Sequence, residues 1–185
     1  MALSTEHDFP LWLGYGLTLY GYSLTELGEP QAGLDALQKG LATYQPTGAV
    51  LLDPIAFTAL AETHRKLRQP TEALNCLAEA EQAIERAEGS CIEAEYHQVR
   101  GDVLVEYGDP RRAEESYNNA LSVARRQSAK LFELRAATSL ARLWRDQGKV
   151  QPARELLAPV YGWFTEGFDT RDLKEAKALR EELGA

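Results

Sequence analysis

Basic residues are the minority charge in this chain, and cysteine and histidine are scarce. Lys and Arg number 20 against 28 Asp and Glu, a formal charge of -8, which argues against a surface built to neutralise nucleic-acid phosphates. The 2 cysteines, Cys76 and Cys91, lack the C-x-x-C spacing of a zinc or redox site and read as ordinary buried or half-buried thiols of a cytoplasmic protein. The 3 histidines, His7, His64 and His97, do not form an H-E-x-x-H pair on one helical face, so a metal role is not expected. There is no apolar run long enough to span a bilayer, and the opening residues Met1 to Asp8 lack a basic region followed by an apolar stretch. The G-x-x-x-x-G-K-[ST] phosphate loop is absent, and neighbouring carboxylates such as Glu114-Glu115 and Glu181-Glu182 point apart on a helix. With no converging nucleophile, base or metal set, the expectation is a protein that is not an enzyme and uses no cofactor.

What is present is a period. Gly21, Ala61, Gly101 and Ala141 stand 40 positions apart. Twelve residues after each come Gly33, Ala73, Ala113 and Ala153; four further on, Leu37, Leu77, Tyr117 and Leu157; three further still, Gly40, Ala80, Ala120 and Val160. Small residues at fixed intervals are required where helices cross closely, and the bulky residue fills the gap beside the crossing.

Each unit reads as two antiparallel helices. The apolar spacing predicts helix A at about 10–27, 51–68, 91–107 and 129–147, and helix B at about 30–44, 70–87, 110–126 and 150–164. Gly28-Glu29-Pro30, Arg68-Gln69-Pro70 and Gly108-Asp109-Pro110 each put a helix-ending residue before a proline suited to a first turn, and Gly148 stops the fourth helix A. Asp53-Pro54 reads either as cap and first turn or, if Gly48 to Leu52 are already helical, as a local distortion. Pro159 is expected to kink the end of the last helix B, and Gly167 to break the chain. A ninth helix at about 170–183, capped by Asp169 or Thr170, carries Leu173, Ala176, Leu179 and Leu183 on one stripe and charge on the other side, as a terminal capping helix must. Tyr161, Trp163, Phe164 and Phe168 are expected to pack where that helix docks.

Leu17-x-x-Tyr20-Gly21-x-x-Leu24, Phe57-x-x-Leu60-Ala61-x-x-His64, His97-x-x-Arg100-Gly101-x-x-Leu104 and Ala137-x-x-Leu140-Ala141-x-x-Trp144 resemble the tetratricopeptide repeat, although His64, Arg100 and Ala137 depart from its usual residues. The resemblance implies an all-α, right-handed α-solenoid of four helical hairpins with a C-terminal capping helix. It forms a single domain over residues 1–185, with repeats at about 10–48, 49–88, 89–127 and 128–166. The stretches Leu134 to Arg145, Leu156 to Thr170 and Asp172 to Leu179 resemble the closing segment of a bacterial signalling family of large predicted ATPases, often with an adenylate/guanylate cyclase domain ahead. That resemblance begins at Ala2-Leu-Ser-Thr-Glu-His-Asp-Phe-Pro-Leu-Trp12 and implies the last part of a repeat array, whole or cut from a larger protein. Neither the ATPase nor the cyclase motif is present, so neither activity transfers.

In such an array helix A lines the concave side. The register assigns to it Tyr15, Thr18 and Tyr22, then Glu62, Arg65 and Lys66, then Gln98 and Asp102, then Arg135, Thr138, Arg142 and Arg145. Arg135, Arg142 and Arg145 share one helical face and suit a partner's carboxylate or phosphate; the bland alternative is a solvated face with Arg142 paired to Asp146. The function expected is a protein–protein interaction and regulatory module for a protein or peptide partner, an ATPase or cyclase unit among them. The alternative is a small-molecule sensor pocket near Tyr15, Tyr22 and Arg65. Phe9, Leu11, Trp12 and Leu13 mark the uncovered face of the first helix as a self-association site.

Overall fold

A computed structural model describes the chain except residues 1–3, 5, 8, 88, 89 and 185. Ala2, Leu3, Thr5 and Asp8 of the junction-like segment Ala2 to Trp12, and the boundary expected between residues 88 and 89, therefore lie outside the described residues. Among the described residues there is no β-strand. The helices are α1 (Pro10–Glu26), α2 (Pro30–Tyr44), α3 (Asp53–Lys66), α4 (Pro70–Arg86), α5 (Glu93–Glu106), α6 (Pro110–Arg126), α7 (Lys130–Asp146), α8 (Val150–Tyr161) and α9 (Arg171–Glu182), with one 3-10 turn at Gln45–Thr47. The fold is an all-α repeat solenoid. Its helices form two compact units, Met1–Ile92 and Glu93–Ala185.

Helix starts and stops follow local chemistry. Pro10, Pro30, Pro70 and Pro110 open α1, α2, α4 and α6, where a missing N–H costs nothing. The Asp109 carboxylate accepts from the Arg112 N–H at 3.1 Å and caps α6. Helix A ends on a left-handed residue at Gly28 (φ 90°), Arg68 (φ 58°), Gly108 (φ 76°) and Gly148 (φ 76°), again 40 residues apart.

Between the first two hairpins the open choice at Asp53-Pro54 resolves. Gly48 turns the chain with φ 73°, α3 begins at Asp53, and Pro54 sits in its first turn. The fully buried Tyr44 hydroxyl accepts from the Leu52 N–H at 3.0 Å and ties the end of α2 to the start of α3. The last helix B runs through Pro159 but ends at Tyr161, three residues short of the expected 164. Gly162 closes it with an N–H to Ala158 O bond of 2.9 Å. Thr170 precedes α9, yet its hydroxyl donates to Gly167 O at 2.7 Å and caps no helical N–H.

All sixteen periodic positions are buried. In the first unit α1 pairs with α2 and α3 with α4, while α3 also packs on α2 and α1. A side chain at Gly21 would lie 2.7 Å from Gly33 O, and one at Gly33 would lie 2.8 Å from Gly21 O. Gly14 and Gly40 face each other in the same reciprocal way, at 2.9 and 3.0 Å from the opposing carbonyl oxygens. The first hairpin therefore crosses at two glycine pairs one heptad apart, with backbone against backbone. In the second unit the Tyr117 ring occupies the space beside Gly101. The core there runs from Leu104 and Tyr117 through Leu134, Leu140 and Leu157 to Leu173, Leu179 and Leu183 of and just after α9.

Candidate interaction surface

The side chains assigned to the helix A face fall into two groups. Thr18 and Thr138 are buried at 2% and 6% exposure, and their hydroxyls donate within their own helices, to Gly14 O at 3.0 Å and Leu134 O at 2.8 Å. These two do not line a surface, which corrects the expectation. Thr18 is three residues before Gly21 and Thr138 three before Ala141, so each belongs to the stripe that meets helix B.

The others reach the helix A face, except Glu62, which at 8% exposure is buried as well and so also corrects the expectation. In the first unit Tyr15 is half-buried, edge-on to Trp12 with ring centres 6.5 Å apart. Tyr22 packs on the core formed by Leu34, Leu37, Ala59 and Leu60. Glu62 accepts two hydrogen bonds from the Arg65 guanidinium, at 2.7 and 2.8 Å. Lys66 crosses to α1, bonding Glu26 at 2.6 Å and Thr25 O at 3.2 Å. Beneath them the fully buried hydroxyls of Thr25 and Thr63 meet at 2.8 Å. The charges here are internally matched, and α1 is fastened to α3 by them.

In the second unit Asp102 accepts from the Tyr117 hydroxyl at 2.7 Å and from Gln98 at 2.6 Å, so helix B reaches through to hold an acid on the helix A face. The three arginines of α7 meet α9. Arg135 makes two bonds to Asp172, at 2.9 and 3.1 Å, and lies 3.6 Å from Glu95 of α5. Arg142 stands 3.7 Å from Glu175, and Arg145 bonds both Asp146 and Glu182. The Arg142 to Asp146 pair read from the sequence is replaced by one from Arg145. The stripe at 135, 142 and 145 thus faces a matching acidic stripe at 172, 175 and 182 on the capping helix. The arginine stripe is visible in the sequence, and the docking of α9 on α7 is what brings the acidic one to it. Fork-to-carboxylate geometry gives such pairs orientation as well as energy.

The aromatic string divides. Tyr161 and Phe164 pack against the core, with the Arg180 guanidinium 4.7 Å from the Tyr161 ring centre, but Trp163 and Phe168 are exposed at 57% and 47%. Core packing holds for only half of it. Lys130 lies 5.6 Å from the Trp163 ring, a cation–π arrangement.

No group of three or more metal-type ligands occurs among the described residues. His64 bonds Gln69 at 2.7 Å, and the His97 ring lies tilted beside Tyr96 with ring centres 5.0 Å apart. Burial pushes the Cys76 thiol up to about 11, with Glu79 and Glu72 adding to the effect, so it carries no nucleophilic thiolate at neutral pH. Cys91 is exposed. Among the described residues no helix is long and apolar enough to cross a membrane.

No family model matches the sequence, and no curated protein matches it. Solved structures match the fold. The kinesin light chain nearly identical TPR-like repeats of Podosopora anserina superpose with a TM-score of 0.67 at 16% identity, covering 94% of this chain and 86% of that one. A single-substitution form of the same repeats gives 0.64 at 16% identity, covering 95% and 94%. A crystal structure of MamA gives 0.53 at 17% identity, covering 92% and 80%. The chain has the fold of a tetratricopeptide-like repeat array.

Proposed function

We propose that this protein is a non-catalytic protein–protein interaction module, the C-terminal repeat part of a bacterial signalling ATPase or adenylate/guanylate cyclase system, acting in the cytoplasm as one domain. The observation that supports a binding role is the density of half-exposed charged side chains on the helix A faces, each already oriented by a neighbour. Pre-oriented guanidinium and carboxylate groups meet a partner with little further loss of freedom. The family resemblance of the closing segment supports the signalling setting. Among the arginines, Arg142 is the one to test, because its side chain is 45% exposed and its link to Glu175 is long.

Affinity capture with wild type and with Arg142→Glu, helicity being followed by circular dichroism, tests the reading. The expected result is a partner held by wild type and lost or weakened by at least tenfold in the variant at unchanged helicity. Capture of the same partner at the same affinity by both proteins would remove the arginine face from the reading.

A further inference from the structure

The three arginines of α7 are unequally satisfied. Arg135 and Arg145 each bond an acid 37 residues on, Asp172 and Glu182, so α9 lies along α7 in one register. The same step from Arg142 arrives at Leu179, which is 3% exposed and belongs to the core that docks α9. An acid cannot stand there without being buried among leucines. Arg142 is left to reach Glu175, out of register at 3.7 Å, and Glu175 already accepts from the Arg171 guanidinium at 2.8 Å.

Helix α5 also packs on α7, and there Glu95 stands 3.6 Å from Arg135, 40 residues on. Asp102 is the equivalent acid for Arg142, but it is held by the Tyr117 hydroxyl and by Gln98. Both candidate acids are engaged elsewhere. Among the described residues the Arg142 guanidinium, 45% exposed, makes one long ion pair and no hydrogen bond.

We propose, resting on the interaction-module reading, that Arg142 takes a carboxylate side chain of the protein partner, an aspartate or glutamate gripped by both arms of its fork. The arginines on either side already hold carboxylates, so this row is shaped for that acceptor. A phosphate dianion suits it less, because Asp146, Asp172, Glu175 and Glu182 stand along the row and repel a double charge more strongly. An acidic segment is not repelled from this unit as a whole: residues 93–185 carry 15 Lys and Arg against 16 Asp and Glu. A partner on the open helix A face is free of the leucine register that constrains α9, and can set its acid opposite Arg142. Glu175 is then its nearest competitor.

Fluorescence anisotropy of a labelled hexaglutamate peptide, with hexaglutamine as the neutral control, tests the proposal. Wild type is expected to bind hexaglutamate only, and sodium acetate to displace it more readily than inorganic phosphate at equal ionic strength. Arg142→Gln is expected to weaken binding by about fivefold, the upper end for a partly exposed ion pair, and Glu175→Gln to tighten it by about twofold, both at unchanged helicity. Arg111→Gln makes the same change in net charge at a side chain 90% exposed on α6, and is expected to leave binding unaltered. Equal losses in the Arg142 and Arg111 variants would assign the effect to net charge and overturn the proposal. So would a wild type that ignores hexaglutamate, or phosphate displacing it more readily than acetate. The module reading is judged separately by partner capture: a partner lost from Arg142→Glu, with hexaglutamate unbound by wild type, keeps that reading and removes the carboxylate.

Discussion

Gly33 shows how far a single hydrogen atom decides the first hairpin. Its equivalents Ala73, Ala113 and Ala153 are alanines with no exposed surface, so the position tolerates a methyl group elsewhere. At Gly33 a Cβ would meet the Thr25 hydroxyl, and it would sit 2.8 Å from Gly21 O and 3.1 Å from Thr25 N. The obstruction is backbone as well as side chain, and cannot be relieved by a rotamer change. Gly33→Ala is therefore expected to destabilise the protein by about 3 kcal/mol, the upper end of overpacking costs, read from urea denaturation. Ser128 carries the opposite opportunity. It ends α6 at φ 55°, a conformation strained for a residue with a side chain, and it is exposed. Ser128→Gly is expected to raise stability by about 0.5–1 kcal/mol, since the relief of left-handed strain exceeds the added chain entropy. A lower melting temperature for this variant would show that the turn is not under such strain.

At the scale of elements, the helices are legible in the sequence because punctuation and period agree. Proline openings and left-handed endings recur at the register of the small residues, so α1, α2, α4 and α6 start where the sequence says. What is not legible is what covers each helix. Periodicity assigns Thr18 and Thr138 to a helix but leaves a choice of about 100° per residue about its axis, enough to move a side chain from a groove to a crossing. The α7 arginines are visible as a stripe, whereas their partners lie far along the chain, on a helix whose charged side reads from sequence only as solubility. The Arg135–Asp172 pair tests how much that contact contributes, because both side chains are less than one third exposed and the guanidinium is bidentate. A double-mutant cycle of Arg135→Ala and Asp172→Ala is expected to give a coupling of about 1 kcal/mol, at the top of the range for partly exposed pairs. A coupling near zero would mean that this pair contributes nothing to holding α9 on α7.

For the whole molecule the excess of carboxylates makes pH the natural variable, and two buried acids pull in opposite directions. Burial pushes the Glu133 carboxyl up, but hydrogen bonds and charge from Lys130 at 2.6 Å and Arg125 at 2.9 Å outweigh it and leave it below the usual glutamate range. Burial pushes the Asp53 carboxyl up, and the Tyr44 hydroxyl and Arg86 only partly offset this. The sign for Glu133 follows from its lowered folded value. Its contribution is present above the unfolded glutamate pKa, about 4.3, and is lost as pH falls through the folded value. For Asp53 the raised value means the ionised form is penalised by folding, and that penalty is relieved as pH falls through the folded value. Glu133→Gln keeps the shape but removes the charge that joins the end of α6 to the start of α7, and is expected to cost about 1.5–3 kcal/mol at neutral pH, the range for hydrogen bonds to a charged group. Denaturation of both proteins across the acid range should show the difference between them shrinking below about pH 4.3 and vanishing once both states of wild type are protonated. A gap that stayed constant through that range would mean that Glu133 acts by packing and not by charge.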